Sequence, residues 1–258
     1  MRWSVTREKA AINISRIAFL VGVIIFWETV SETFGLVHPV WISSPSRIVN
    51  RLINWIISGE IARHLAITLW ETLLGFLIGA SFGILLGLIL GLYKKALAIL
   101  EPYLMALNSL PRIALAPLFI LWFGIGITSK VILIITMVLF ILLFNTLAGV
   151  RSIDQAYLNL MLSLGGRFRH IMIKLVLPWC IPYIFAGIKL SIGMALVGAV
   201  IGEFLASNVG LGFLIAWSSS MFDTTGVFAG IIILMMLTII IDEGMKLLEG
   251  KVQKWRPS

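Results

Sequence analysis

Apolar residues in this chain come in blocks long enough to cross a membrane. From Leu73 to Leu92 it reads LLGFLIGASFGILLGLILGL, twenty residues without a charge. A helix of about that length crosses a hydrocarbon core about 30 Å thick. The pattern predicts six spans, at Ile14–Thr33, Leu69–Tyr93, Tyr103–Gly124, Lys130–Val150, Trp179–Ser207 and Val227–Leu248. The expected fold is all-α, a polytopic membrane protein. Between the first two spans, SPSRIVNRLINWIISG places Ile48, Leu52, Trp55 and Ile56 on one helical face and Arg47, Asn50, Arg51 and Asn54 on the other. That predicts a short helix on the outer membrane surface, closed by Gly59.

Span two carries a second pattern. Gly75, Gly79, Gly83, Gly87 and Gly91 recur every fourth residue. Glycine costs about 1 kcal/mol relative to alanine inside a helix, so the repetition implies close backbone packing against a neighbouring helix. The row drifts by roughly 40° per step, which suits a partner crossing at an angle.

Composition agrees: 60% of the 258 residues are hydrophobic and 12% charged, against about 45–50% and about 25% in soluble domains. The net charge of +8 is a matter of topology rather than of nucleic acid. Fourteen Lys and Arg fall in the N-terminal segment, the loops after spans two and four, and the C-terminal segment; four (Arg47, Arg51, Arg63, Lys130) fall on the opposite side. The positive-inside bias puts both termini in the cytoplasm. The basic N-terminal stretch lacks a small-residue cleavage site after Trp27 and reads as part of an uncleaved first span. The lone Cys180 makes neither a disulfide nor a metal cage.

Catalytic motifs are sparse. Gly79-Ala80-Ser81-Phe82-Gly83 matches G-x-S-x-G, but that motif acts on a strand-turn-helix beside a histidine. Here it lies in the glycine row, and His38, His64 and His170 all fall in predicted connections. An intramembrane hydrolase using Ser81 is the remote alternative. No phosphate-binding loop and no zinc motif occur, and neither a cofactor nor a metal is expected. Charged residues within spans are candidates by default. Asp242 and Lys246 form a helix pair, and Lys189 can snorkel. Arg112 follows Pro111 in LNSLPRIALAPLFILWFG, a helix expected to break there and again at Pro117, and is a candidate anion contact. Asn145, Glu203 and Asn208 complete the pathway or gate candidates.

The segment from Arg151 to Leu177 is long for a connection between spans, and it looks folded. Leu158, Met161, Leu162 and Leu164 supply an apolar face before Gly165-Gly166; Phe168, Ile171, Met172 and Leu175 supply another after it. Two short amphipathic helices joined by a glycine turn are expected, with Pro178 in the first turn of span five. Arg167, Arg169 and His170 flank the ridge, which suits docking into a partner's groove.

Here the sequence resembles a family. Gly165, nine residues and then Leu175-Val176-Leu177-Pro178 keep the spacing of the EAA loop of ABC-importer permeases. LAPLFILWFGIG, NTLAGVRSID, LPWCIPYIFAGIKLSIG and GEFLASNVGLGFLI look like the nitrate, sulfonate, taurine and bicarbonate branch. The acidic triplet is replaced by Asn159-Leu160-Met161, and Leu175 stands for Ile. The resemblance implies a type I importer permease of a bacterial or archaeal cytoplasmic (inner) membrane. It would pair with a second permease copy, two ABC ATPase subunits gripping Leu158 to His170, an external solute-binding protein and membrane lipid. The ATPase would hydrolyse ATP, and the solute would be a small anion. One permease domain, 14–250, with a coupling loop at 151–177, would carry cytoplasmic tails at 1–13 and 251–258. A secondary transporter is the alternative. It would more often show inverted repeats, which are not visible here.

Overall fold

A computed structural model describes residues 2–34, 38 and 40–252. Most of the expected C-terminal tail, with Lys254 and Arg256, lies outside the described residues. The helices are α1 (Arg2–Glu28), α2 (Pro45–Ile57), α3 (Glu60–Leu92), α4 (Lys94–Ser109), α5 (Arg112–Phe123), α6 (Ile127–Arg151), α7 (Gln155–Ser163), α8 (Phe168–Ile171), α9 (Leu177–Ala206), α10 (Leu211–Ser220) and α11 (Thr224–Val252). Five runs are long and apolar enough to cross a membrane, and α4 with α5 makes a sixth, bent by 88°. The chain divides into two compact units, residues 1–62 with 214–233 and residues 63–213 with 234–258.

In the first unit, α1 is exposed on every face from Ile14 to Phe26. Packing begins at its end, where Trp27 donates to the Ser43 carbonyl at 2.8 Å and meets Phe228 at 5.5 Å. The helix α2 forms where expected. Ser44 caps it, Pro45 opens it, and Gly59 follows Ser58 with a φ of +73°. Glu28 accepts from the Ser46 N–H at 3.0 Å, placing a carboxylate at the positive end of the helix dipole. Ile48 and Trp55 pack with Leu214 and Ala229. Ile56 does not join that face and is exposed, because it stands one residue and 100° beyond Trp55. Arg51 pairs with Asp223 at 2.7 Å and lies over Trp55.

The second unit is built around α6, whose Ile134, Val138, Leu142 and Leu143 are fully buried. The five glycines of α3 all face it. A Cβ at Gly75 would meet Ile134; at Gly79, Val138; at Gly83, Leu142; at Gly87, Thr146; at Gly91, Val150. The pairing keeps one constant sequence offset, so α3 and α6 run parallel. The partner's own every-fourth row drifts equally, and the seam therefore persists over all five positions instead of ending at one crossing. On another side α9 supplies Gly187, Gly198 and Gly202 against Asn145, Met137 and Lys130. Those pairs descend along α6, so α9 is antiparallel to it.

Three helix boundaries differ from expectation. α3 starts at Glu60, which brings His64 into a span-length helix rather than a connection. The third span breaks once, at Leu110-Pro111; Pro117 sits inside α5 without interrupting it. Span five runs back through a π-turn, Met172–Val176, into α8. Pro178 lies in the first turn of α9 as expected, but the chain is already helical before it. The proline lacks an N–H for a normal i−4 bond, and the wider turn beside it, closed by the Leu177 N–H on the Met172 carbonyl, accommodates that loss. The ten-residue α10 was not expected and is too short to span.

Candidate functional site

The hairpin formed by α7 and α8 grows from local signals. Asp154 caps α7, accepting from the Ala156 N–H at 2.8 Å. At its other end the Gly166 N–H reaches the Met161 carbonyl at 2.9 Å, and the Gly165 N–H the Leu162 carbonyl at 3.0 Å. These two bonds make a Schellman motif, which needs a left-handed residue; Gly165 supplies it with a φ of +74°. Gly166 is needed for space, since a Cβ there would lie 2.5 Å from the Met161 carbonyl oxygen. The glycine pair is thus a tight turn that reverses the chain from α7 into α8.

The apolar ridge divides in two. Leu158 packs with Ile171, Met172 and Leu175 against Leu88, Val150, Ile153, Val176 and Cys180, and Met161 is half-buried. Leu162, Leu164 and Phe168 point outward, with Leu164 75% exposed. The expected single face of Leu158, Met161, Leu162 and Leu164 is therefore corrected. Leu158 and Met161 share the core-facing side, while Leu162 and Leu164 lie at the turn, past the end of the core. Arg167, Arg169 and His170 are exposed around that tip. The hairpin is tied down by Trp179, whose indole donates to Ser152 Oγ at 2.9 Å and lies 5.6 Å from the Tyr157 ring. Arg151 forks onto both oxygens of Glu101 at 2.8 and 2.9 Å, joining α6 to α4.

The pathway candidates scatter. Pro111 is exposed at the break. Arg112 braces that break: it donates to the Thr136 carbonyl and to Asn108 Oδ1, both at 2.9 Å, and lies 5.0 Å over Phe140. Asn145 donates to the Ile141 carbonyl and sits against Gly187 in the α6–α9 seam. Asn208 is exposed. Glu203 is only 1% exposed; its oxygens accept from Thr68 Oγ1 at 2.7 Å and from the Gly212 N–H at 2.6 Å. Ser81 donates to the Leu77 carbonyl within α3, so it lacks the strained turn a nucleophile elbow needs.

Sequence reasoning missed the buried polar cluster around Glu203. Glu71 forms an ion pair with Lys130, and Lys130 also donates to Ser207 Oγ at 3.1 Å. Lys130 is thus not a free loop charge, and Glu71 is buried with it. The Gly210 N–H donates to His64 Nδ1 at 3.0 Å, and the Leu211 N–H to Thr68 Oγ1 at 2.9 Å. The signal was present: His64, Thr68, Glu71 and Thr72 form a helical stripe of polar residues in an otherwise apolar span.

Comparison with known proteins now places this architecture. Residues 83–254 match the family described as binding-protein-dependent transport system inner membrane component. The chain belongs to that family. This family member is 37% identical over 165 residues to the putative aliphatic sulfonates transport permease protein SsuC of Bacillus subtilis, covering 64% of this chain and 60% of the relative. It is 30% identical over 157 residues to the taurine transport system permease protein TauC of Escherichia coli, covering 61% and 57%. The chain thus matches about three-fifths of the length of these relatives. An inward-facing structure of the MetNI methionine ABC transporter superposes with a TM-score of 0.61 at 16% identity, over 76% of this chain and 95% of that one; this likeness speaks to fold. The chain is a multi-pass membrane protein with the permease fold of ABC importers.

Proposed function

We propose that the chain is the permease subunit of an ATP-driven importer, carrying a small anionic solute of the sulfonate or taurine type across a cytoplasmic membrane. The observation that carries the reading is the α7–α8 hairpin: an apolar tip of Leu162, Leu164 and Phe168, ringed by Arg167, Arg169 and His170, on a chain of this family. An exposed apolar tip needs a partner, and an ATPase groove is the occupant that fits. Two copies of the chain form the pathway, each hairpin is gripped by one ATPase, and an external binding protein delivers the solute. Hydrolysis takes place in the partner; the chain supplies the route and the handle. Moving a transporter from 1:99 to 99:1 in favour of its outward state takes about 5.5 kcal/mol of differential binding, and the hairpin is where that energy enters. Residues 14–250 act as a single permease domain, with both termini in the cytoplasm.

The test is co-purification with the neighbouring gene products, read by bound ATPase and by ATP hydrolysis stimulated by solute-loaded binding protein. A Gly165→Val variant is the comparison. Valine at a left-handed position costs about 1–2 kcal/mol or more, enough to open the turn while leaving the spans inserted. We expect the variant to insert normally and to lose the ATPase or its stimulation. Wild-type protein that elutes without an ATPase, or a variant that transports normally, refutes the reading.

A further inference from the structure

The cluster around Glu203 buries two acids, and Lys130 is paired with one of them. Glu71 comes from α3, Glu203 from α9 and Lys130 from α6, each almost wholly buried. The His64 ring is engaged elsewhere: its Nδ1 lies against the Gly210 backbone, 3.0 Å from the nitrogen and 2.9 Å from the carbonyl oxygen. Glu203 is held by neutral donors, the Thr68 hydroxyl and the Gly212 N–H. Lys130 pairs with Glu71, and an ionised Glu203 would be a buried carboxylate held by neutral donors inside an apolar bundle. Such a charge is strongly disfavoured.

A second observation points the same way. Glu71 Oε2 is buried and has no partner, and Glu71 stands about one turn of α3 beyond Thr68, whose hydroxyl holds Glu203, so both acids sit on one face of α3. Two carboxylates side by side are both acceptors and repel. One proton between them makes an O–H···O⁻ bond, gives the orphaned oxygen a partner and removes the unpaired charge.

We propose that Glu71 and Glu203 form a proton-binding site that holds one proton between them, and that this proton keeps the 207–212 segment docked on α3. The ionisable groups facing the site are Lys130 from α6 and His64 from α3. The proton arrives from water as H⁺, and no other bond forms or breaks. Its loss restores repulsion between the acids and weakens the hold of Glu203 on the Gly212 N–H. The inference does not rest on the transport reading, because its readout needs neither solute nor ATPase.

The experiment is infrared spectroscopy of the purified full chain carrying carbonyl-labelled glutamate, at neutral pH. The other glutamates are Glu8, Glu28, Glu32, Glu60, Glu101, Glu243 and Glu249; of these, Glu28, Glu32, Glu60, Glu101 and Glu243 are not buried and contribute carboxylate signals. We expect a protonated carboxylic acid band in the wild type that is lost in both Glu71→Gln and Glu203→Gln, since either change leaves one acid for Lys130. Glutamine mimics the protonated acid in shape, which favours folding. Should either variant fail to fold, the wild-type band itself decides, because it must vanish on titration to alkaline pH as one proton is released. Absence of the band in wild type, its persistence in both variants, or its loss in only one of them overturns a shared proton.

Discussion

Alanine in place of Gly83 separates helix propensity from packing. By propensity alone the change should stabilise α3 by about 1 kcal/mol. The seam says otherwise. The added Cβ would lie 2.5 Å from the Leu139 carbonyl oxygen, 3.0 Å from Leu142 Cβ and 3.2 Å from the Leu143 nitrogen, where ordinary contact begins at 3.4 Å. Two of those three atoms belong to the α6 backbone, so no side chain can swing away. The helices must part by roughly 0.9 Å at this point, and a gap of 0.5–1 Å forfeits a quarter to a half of each dispersion contact. Gly79 and Gly87 share the seam and lose contact too. Overpacking of this kind costs about 1–3 kcal/mol, and we expect a net loss of about 2 kcal/mol once helix propensity is included. At about 2–4 °C per kcal/mol for a chain of this size, the detergent-solubilised protein should melt about 4–8 °C lower. Gly244→Ala is the control: nothing lies within 4 Å of its Cβ position, so its melting point should hold or rise. A rise of equal size in both variants would refute the seam.

Two further changes probe the polar contacts. Lys130→Met leaves Glu71 buried without its counter-ion and should destabilise by about 3–5 kcal/mol; adding Glu71→Leu should recover most of that in a thermal melt, and no recovery would mean that Lys130 acts elsewhere. Arg112→Ala removes two charge-assisted hydrogen bonds, one across the α4–α5 break to Asn108 and one to the Thr136 carbonyl of α6, each worth about 1.5–3 kcal/mol. Thermal stability should fall and uptake should drop for any solute, whereas unchanged stability with weakened apparent affinity would return Arg112 to the role of anion contact.

What could be read from the sequence was whatever leaves a periodic or stereochemical mark. Apolar runs gave the spans, every-fourth glycines gave a close seam, and a glycine pair between amphipathic stretches gave the hairpin. The misses have a common cause, since periodicity describes one helix at a time. It assigns Leu158 and Leu162 to one face, yet cannot say where the core behind that face stops. It marks Pro111 and Pro117 alike, although only Pro111 coincides with the break; inside α5, Pro117 is tolerated five residues from the helix start. Glu71 and Lys130 are 59 positions apart, and each alone looked like a charge near a membrane surface. Their pairing follows from the α3–α6 register, which the glycine row and its partner row fix only once they are seen together.

The divided ridge of the hairpin separates two jobs that would otherwise be confounded. Its outer residues meet whatever docks on it, and its inner residues pass force to the bundle. Leu158, Ile171, Met172 and Leu175 lie in the same apolar cluster as Leu88 of α3, Val150 of α6 and Cys180 of α9, so a push on the tip bears on the ends of three spans at once. Close-packed contacts transmit such a displacement because they resist compression. The π-turn at Met172–Val176 joins the hairpin to α9 within one helical run, so the push also travels along the chain. Truncating one side at a time should then give different phenotypes. Leu164→Ala removes an exposed side chain; it should leave the melting point within about 0.5 kcal/mol of wild type and reduce the amount of ATPase recovered. Leu158→Ala empties part of the cluster; it should lower stability by about 2 kcal/mol, keep the ATPase bound and reduce uptake per ATP hydrolysed. If both variants lose the ATPase equally, or if Leu158→Ala transports with normal stoichiometry, the inner face does not carry the coupling.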